Sequence, residues 1–224
     1  MGAHNRFDTQ KSADRFVTRT ETITTLHSFS YGAHYDPENI AFGPIIAINE
    51  ESVNPAAGYD AHHHADVEIV TWVLDGALAH EDTTGHRGII EPGTAQRLSA
   101  GTGVQHAERN ASHTEPLRFI QMMLASEHLD EPDYASVDVD ARPGVLTPTV
   151  PVHAPAELFV VHLDAGQTVS VPEANRSLVH VTRGTIEVAG ESLDAGDQAR
   201  SSDGAAYDLS ASGPADALVW QLQR

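Results

Sequence analysis

The chain has 224 residues, a formal net charge of −19, a single lysine (Lys11) and no cysteine. The charge repels a phosphate backbone and argues against direct nucleic-acid binding; the missing cysteines exclude disulfides, thiolate metal sites and cysteine nucleophiles. No run approaches the ~18 apolar residues of a membrane span, and Met1–Arg19 carries no apolar signal-peptide core, so a cytoplasmic protein with no membrane partner is expected.

The first strand is expected over Ile40–Ile48 (IAFGPIIAI), apolar and β-branched. Asn49–Asp60 is polar, holds Pro55 and Gly58, and reads as a loop. Val67–Leu74 (VEIVTWVL) is a second strand, closed by the turn signal Asp75-Gly76. Short strands follow at Ala77–Glu81, Gly88–Ile90 and Ala95–Leu98, each ending on glycine or Pro-Gly. In between, Asp82-Thr83-Thr84-Gly85 reads as a hairpin turn, with His80, Glu81, Asp82 and His86 as its solvated residues. Leu117–Leu124 (LRFIQMML) is a further strand. Turn signals at such short intervals indicate an antiparallel sandwich or barrel.

The texture changes between Ser126 and Pro151, which is acidic and holds four prolines. Such a segment cannot sustain a central strand or a long helix and reads as a connector. The β rhythm then returns with Glu157–Leu163, Thr168–Val171, Ser177–Thr182, Thr185–Val188 and Ala217–Leu222. Two similar β lobes suggest a duplicated fold, divided as 1–128, a connector over 129–152, and 153–224.

The residues with chemistry concentrate in the first lobe. His62 and His64 lie where a loop enters a strand; alternate strand residues share a face, so these two point together and His63 points away. Two imidazoles make a weak site. His106 and Glu108, again two apart and just after Gly101 and Gly103, complete it. Three neutral nitrogens and one carboxylate oxygen suit a divalent ion such as Fe(II), Mn(II), Co(II), Ni(II), Cu(II) or Zn(II). The second lobe offers His153, His162 and His180, none in a His-x-His or His-x-Glu arrangement. His162 and His180 lie in apolar strands and read as structural, and no second metal is expected.

The motif Gly58…His62-x-His64…Glu68…Gly76, followed by Pro92-Gly93…His106…Asn110, resembles the two motifs of the cupin superfamily. The stretches HSFSYG (27–32), HYDPENIAFG (34–43), HHHADVEIVTWVLDGALAHED (62–82), PGTAQRLSAGTGV (92–104) and HAE (106–108) resemble the pirin family in particular. The likeness is dense over residues 15–125 and holds only in outline beyond. It implies an all-β bicupin of two stacked double-stranded β-helix barrels, with one metal ion, most often iron, in the first lobe on His62, His64, His106 and Glu108. Typical cupins also use the glutamate of the first motif, here Glu68. In pirins that position is not a usual ligand, so Glu68 is expected behind the ligands, orienting an imidazole. Pirins commonly read His-Pro-His-Arg where this chain has His62-His63-His64-Ala65, which removes a cation near the cavity mouth.

Bacterial pirin-like proteins imply quercetinase activity, the O2-dependent opening of a flavonol ring. Glu108 would then serve as ligand and catalytic base, with a flavonol-like molecule and O2 as partners. Two other readings stand beside it: a metal- or redox-sensing partner of regulatory proteins without enzymatic activity, and another metal-assisted cupin reaction on a small molecule. A monomer is expected, because two lobes can cover each other's faces.

Overall fold

The computed structural model describes residues 7–126 and 130–223. The expected boundary at residue 128 therefore lies outside the described residues. Among the described residues the first elements are strand β1 (Asp8–Gln10) and a 3-10 turn at Ser12–Asp14, and every later one is a strand. All recorded strand pairs are antiparallel, as Thr24 opposite Ser52 and Val161 opposite Ala217 illustrate. No helix among the described residues is long and apolar enough to cross a membrane.

Two compact units result. The first comprises Arg15–Asp138 together with Val150–Ala154. Its strands are β2 (Phe16–Arg19), β3 (Ile23–His27), β4 (Ile45–Val53), β5 (Gly58–His64), β6 (Val67–Asp75), β7 (Leu78–Asp82), β8 (Arg87–Ile90), β9 (Thr94–Ser99), β10 (Val104–Asn110), β11 (Leu117–Ala125) and β12 (Asp133–Asp138). They form a seven-stranded sheet in the order β12-β9-β6-β11-β4-β3-β2 and a four-stranded sheet in the order β5-β10-β7-β8. The other unit takes the residues up to Asp14, Val139–Thr149 and the chain from Pro155 on. It adds β13 (Val145–Pro148), β14 (Ala156–Leu163), β15 (Thr168–Val171), β16 (Arg176–Arg183), β17 (Thr185–Val188), β18 (Glu191–Asp194), β19 (Gln198–Ser201), β20 (Tyr207–Ser210) and β21 (Ala215–Leu222). Its sheets run β1-β19-β16-β21-β14-β13 and β15-β20-β17-β18. A large sheet and a four-stranded sheet in each unit make the chain the all-β bicupin expected from its motifs.

The proline-rich segment 129–152 carries a strand for each unit, β12 and β13, and both lie at sheet edges. An edge is the position that tolerates a residue unable to donate to the ladder; β13 ends on Pro148, opposite Phe159. The segment 150–154, expected in the connector and second lobe, belongs to the first unit, as does His153.

A second correction concerns β4. It starts at Ile45, after Gly43 in the left-handed region and Pro44, and runs on through the expected loop to Val53. Its alternate residues Ile45, Ala47, Asn49, Glu51 and Val53 are all buried. Asn49 and Glu51 look like loop residues because they are polar, yet they face an interior that holds other polar groups.

Two apolar clusters of the first unit lie along that interior. One gathers Ile23, Val53, Val73, Leu78, Ile90, Leu117 and Phe119; the other gathers Ala47, Ile69, Leu98, Ala100, Val104 and Met123. Between them the sheet register aligns His27, Asn49, Gln121, Thr71 and Gln96 across five neighbouring strands. All five are buried.

Candidate metal centre

Strands β5 and β10 bring the predicted donors together as direct neighbours in the four-stranded sheet. His106 lies opposite His62, then the register shifts so that Glu108 lies opposite Tyr59. The shift places an extra residue on β5, a bulge that turns side chains locally. Two glycines permit this packing. A Cβ on Gly58 would run into the Glu108 carbonyl oxygen, and Gly103 (φ +141°) would bring a Cβ within 2.8 Å of His63 Nε2. His63 is exposed, so its ring lies outside the cluster as alternation requires.

The imidazoles of His62, His64 and His106 pack with ring centroids 4.5–5.0 Å apart. His62 Nδ1 donates to the Asp60 carbonyl at 2.8 Å, which leaves the lone pair on Nε2. That Nε2 lies 3.0 Å from His106 Nε2. Two nitrogens held at right angles on one ion, each at about 2.1 Å, are also about 3.0 Å apart. Burial, and then the neighbouring imidazoles, push the His64 pKa down to about 4 and that of His106 to about 3. Both rings are therefore neutral near pH 7, the form that binds a metal.

Glu108 is 1% exposed, and burial raises its pKa to about 7, with the Glu51 carboxylate adding to the rise. Gln121 Nε2 donates to Glu108 Oε2 at 2.6 Å, which opposes that rise. Glu51 in turn accepts from Thr25 Oγ1 at 2.6 Å and from the Tyr59 hydroxyl at 2.8 Å. Buried atoms of this interior without a hydrogen-bond partner include His64 Nε2, Glu108 Oε1 and His80 Nδ1, together with His106 Nδ1, the ring nitrogen that does not face His62. A buried polar atom left unpaired costs about 1–3 kcal/mol. A divalent cation would relieve that cost, and the donor set of imidazoles and carboxylate fits one.

The donors fall into two overlapping groups whose ligand atoms lie within 4.8 Å of one another: His62, His64 and His106, and His80, His106 and Glu108. Glu108 thus joins the site through His106 and beside a histidine that sequence reading placed in solvent. His80 is 3% exposed and Asp82 7%; only Glu81 and His86 of that group are exposed. The signal was present in the alternation of β7, since Leu78, His80 and Asp82 share one face and Leu78 is fully apolar. Gln121 and Glu51 gave no sequence signal of their own.

Glu68 corrects the expectation in the other direction. It does not orient a ligand imidazole. Its oxygens accept from Ser99 Oγ at 2.7 Å, Ser126 Oγ at 2.9 Å and the His153 amide at 3.1 Å, with Arg97 Nε at 3.9 Å. Its work is to tie the 150–154 segment into the first unit. Among the described residues the second unit holds no group of three potential ligands within reach of one another. His180 is buried against Gln198, and His162 pairs with Asp216.

Comparison with known proteins agrees with this geometry. Residues 9–124 match the family model described as pirin, and residues 145–222 match a quercetinase C-terminal cupin domain. The chain belongs to the pirin family. A relative from Mycobacterium tuberculosis, named provisionally as a quercetin 2,3-dioxygenase, is 40% identical over 95% of this chain and 93% of its own. A protein named quercetin 2,3-dioxygenase from Escherichia coli K12 is 30% identical over 95% of this chain and 97% of its own. Among solved structures, the E. coli pirin YhhW superposes with a TM-score of 0.92 at 27% identity, covering 96% of this chain and 97% of that one. Its complex with nickel(II) superposes at 0.88, covering 97% and 99%.

Proposed function

We propose that this pirin holds one divalent metal ion on His62, His64, His106 and Glu108, Fe(II) in its working form, and cleaves a flavonol with O2. The observation that carries the reading is the set of buried donor atoms without partners, aimed into one interior between two apolar clusters. The relatives named as quercetin 2,3-dioxygenases support the choice of substrate class.

A bound divalent ion supplies Lewis acidity, which lowers the pKa of a coordinated hydroxyl. The chain's own residues do the rest. His64 and His106 present neutral nitrogens, and the Asp60 carbonyl holds the His62 ring with Nε2 inward. Gln121 holds one oxygen of Glu108, so Oε1 serves as ligand and, on leaving or sharing the ion, would accept the proton of a flavonol 3-hydroxyl. The apolar clusters on either side provide walls for planar rings and exclude water. Overall, both atoms of O2 enter the ring-opened ester and one ring carbon leaves as carbon monoxide.

The test is anaerobic metal analysis followed by quercetin and air over an oxygen electrode. About one ion per chain, with oxygen uptake that disappears in His62→Ala, is the expected result. Stoichiometric metal without oxygen uptake would keep the centre and remove the dioxygenase; absence of metal after reconstitution would remove both.

A further inference from the structure

The β7–β8 hairpin carries a device that the proposed function leaves unused. His80 Nε2 donates to Asp82 Oδ2 at 3.0 Å. The other oxygen, Oδ1, accepts from Thr84 N at 2.9 Å, Thr84 Oγ1 at 2.6 Å and His86 N at 3.2 Å. The carboxylate is thus immobilised by the turn that it closes, and as an acceptor it places the imidazole proton on Nε2. His80 Nδ1 keeps its lone pair, is buried, and has no partner.

The ring is held on both sides, with centroids 5.5 Å from His106 and 5.4 Å from Tyr134. His80 lies directly opposite Glu108 in the β7–β10 pairing. A histidine with one nitrogen on a carboxylate and the other free is the arrangement that orients metal-bound imidazoles. His80 falls in the same group of potential ligands as His106 and Glu108.

We propose that His80, positioned by Asp82, is a further metal donor. His80, His106 and Glu108 then form an inner seat, fully buried, that shares His106 with the outer seat of His62 and His64. The inner seat offers two nitrogens and one oxygen, the outer seat three nitrogens, so both suit a borderline divalent ion. The inference rests on the metal reading above and adds a donor to it.

Cobalt(II) is the probe, followed by equilibrium dialysis and by its visible absorption spectrum in the wild-type protein, Asp82→Asn, His80→Gln, His64→Ala and the His64→Ala/His80→Gln pair. Asp82→Asn keeps the side-chain shape and is expected to weaken cobalt binding about tenfold. His80→Gln is expected to weaken it further and to change the spectrum. His64→Ala is expected to retain a weaker cobalt site that vanishes in the pair. Wild-type affinity and spectrum in both His80→Gln and Asp82→Asn, with all binding lost in His64→Ala, would overturn the proposal and leave the outer seat standing. No cobalt binding by the wild-type protein would overturn the metal reading itself, and the inner seat with it.

Discussion

The two units wind their four-stranded sheets in the same order, β5-β10-β7-β8 in one and β15-β20-β17-β18 in the other, yet they fill them differently. Where β5 and β10 place His62 opposite His106, β15 and β20 place Val169 opposite Leu209. Where β5 ends with His64 opposite Val104, β15 ends with Val171 opposite Tyr207. In the place of β7 with His80 and Asp82, β17 turns Ile186 and Val188 inward. Among the described residues, the inner positions of that second sheet therefore join one apolar cluster, while the donors of the first unit lie alongside two. The scaffold does not need the metal site to fold a barrel, because the same winding is stabilised elsewhere by valine and leucine. The polar interior is a cost borne at one place for chemistry.

The comparison can be broken at its centre. His106 is shared by both donor groups, so His106→Ala is expected to lose stoichiometric metal, with affinity down by about 100-fold or more. Metal analysis after dialysis reads the loss; retained stoichiometric metal would show that the two interiors differ less than their residues suggest. Next in size is Glu108→Gln, which keeps the Gln121 contact in reach but removes a proton acceptor. Turnover of a flavonol is expected to fall about 10²–10⁴-fold, measured as oxygen uptake, while full turnover would end the base role.

Leu209→Ala probes the matching position of the apolar unit. It is expected to cost about 2–5 kcal/mol of stability in denaturant unfolding, with metal content unchanged. Release of metal by this substitution would contradict the separate fillings of the two interiors. The smallest effect concerns protons. Glu108 is raised to about 7 in the metal-free protein, and a ligand carboxylate must be ionised, so binding expels a proton below that pH. His64 and His106, already neutral down to about 4 and 3, expel none. Calorimetry in buffers of different ionisation enthalpy is expected to show more proton release on metal binding at pH 6 than at pH 8. Metal affinity should accordingly weaken as pH falls through 7.

Some of this was legible before any coordinates. Glycine and Pro-Gly punctuation between β-branched runs marked the strands around Val67–Asp75 and Leu117–Ala125. The two-residue spacing of His62 and His64, and of His106 and Glu108, placed each pair on one strand face. Other features were hidden for a physical reason. A strand whose inward positions are polar imitates a loop, which concealed the second half of β4 with Asn49 and Glu51, and a buried His80-x-Asp82 beside a turn imitates a solvated hairpin. Glu68 shows the opposite error, since a motif position drew it toward the metal while its partners belong to the 150–154 segment.

By itself the sequence determined the strand rhythm, the absence of thiol chemistry and the pairs of donors, because side-chain alternation and turn chemistry are local properties. Only the tertiary structure decided which donors meet. The bulge between His106 and Glu108, the pairing of β7 beside β10 and the reach of Gln121 across from the larger sheet set those distances, and each depends on register between strands far apart in the chain.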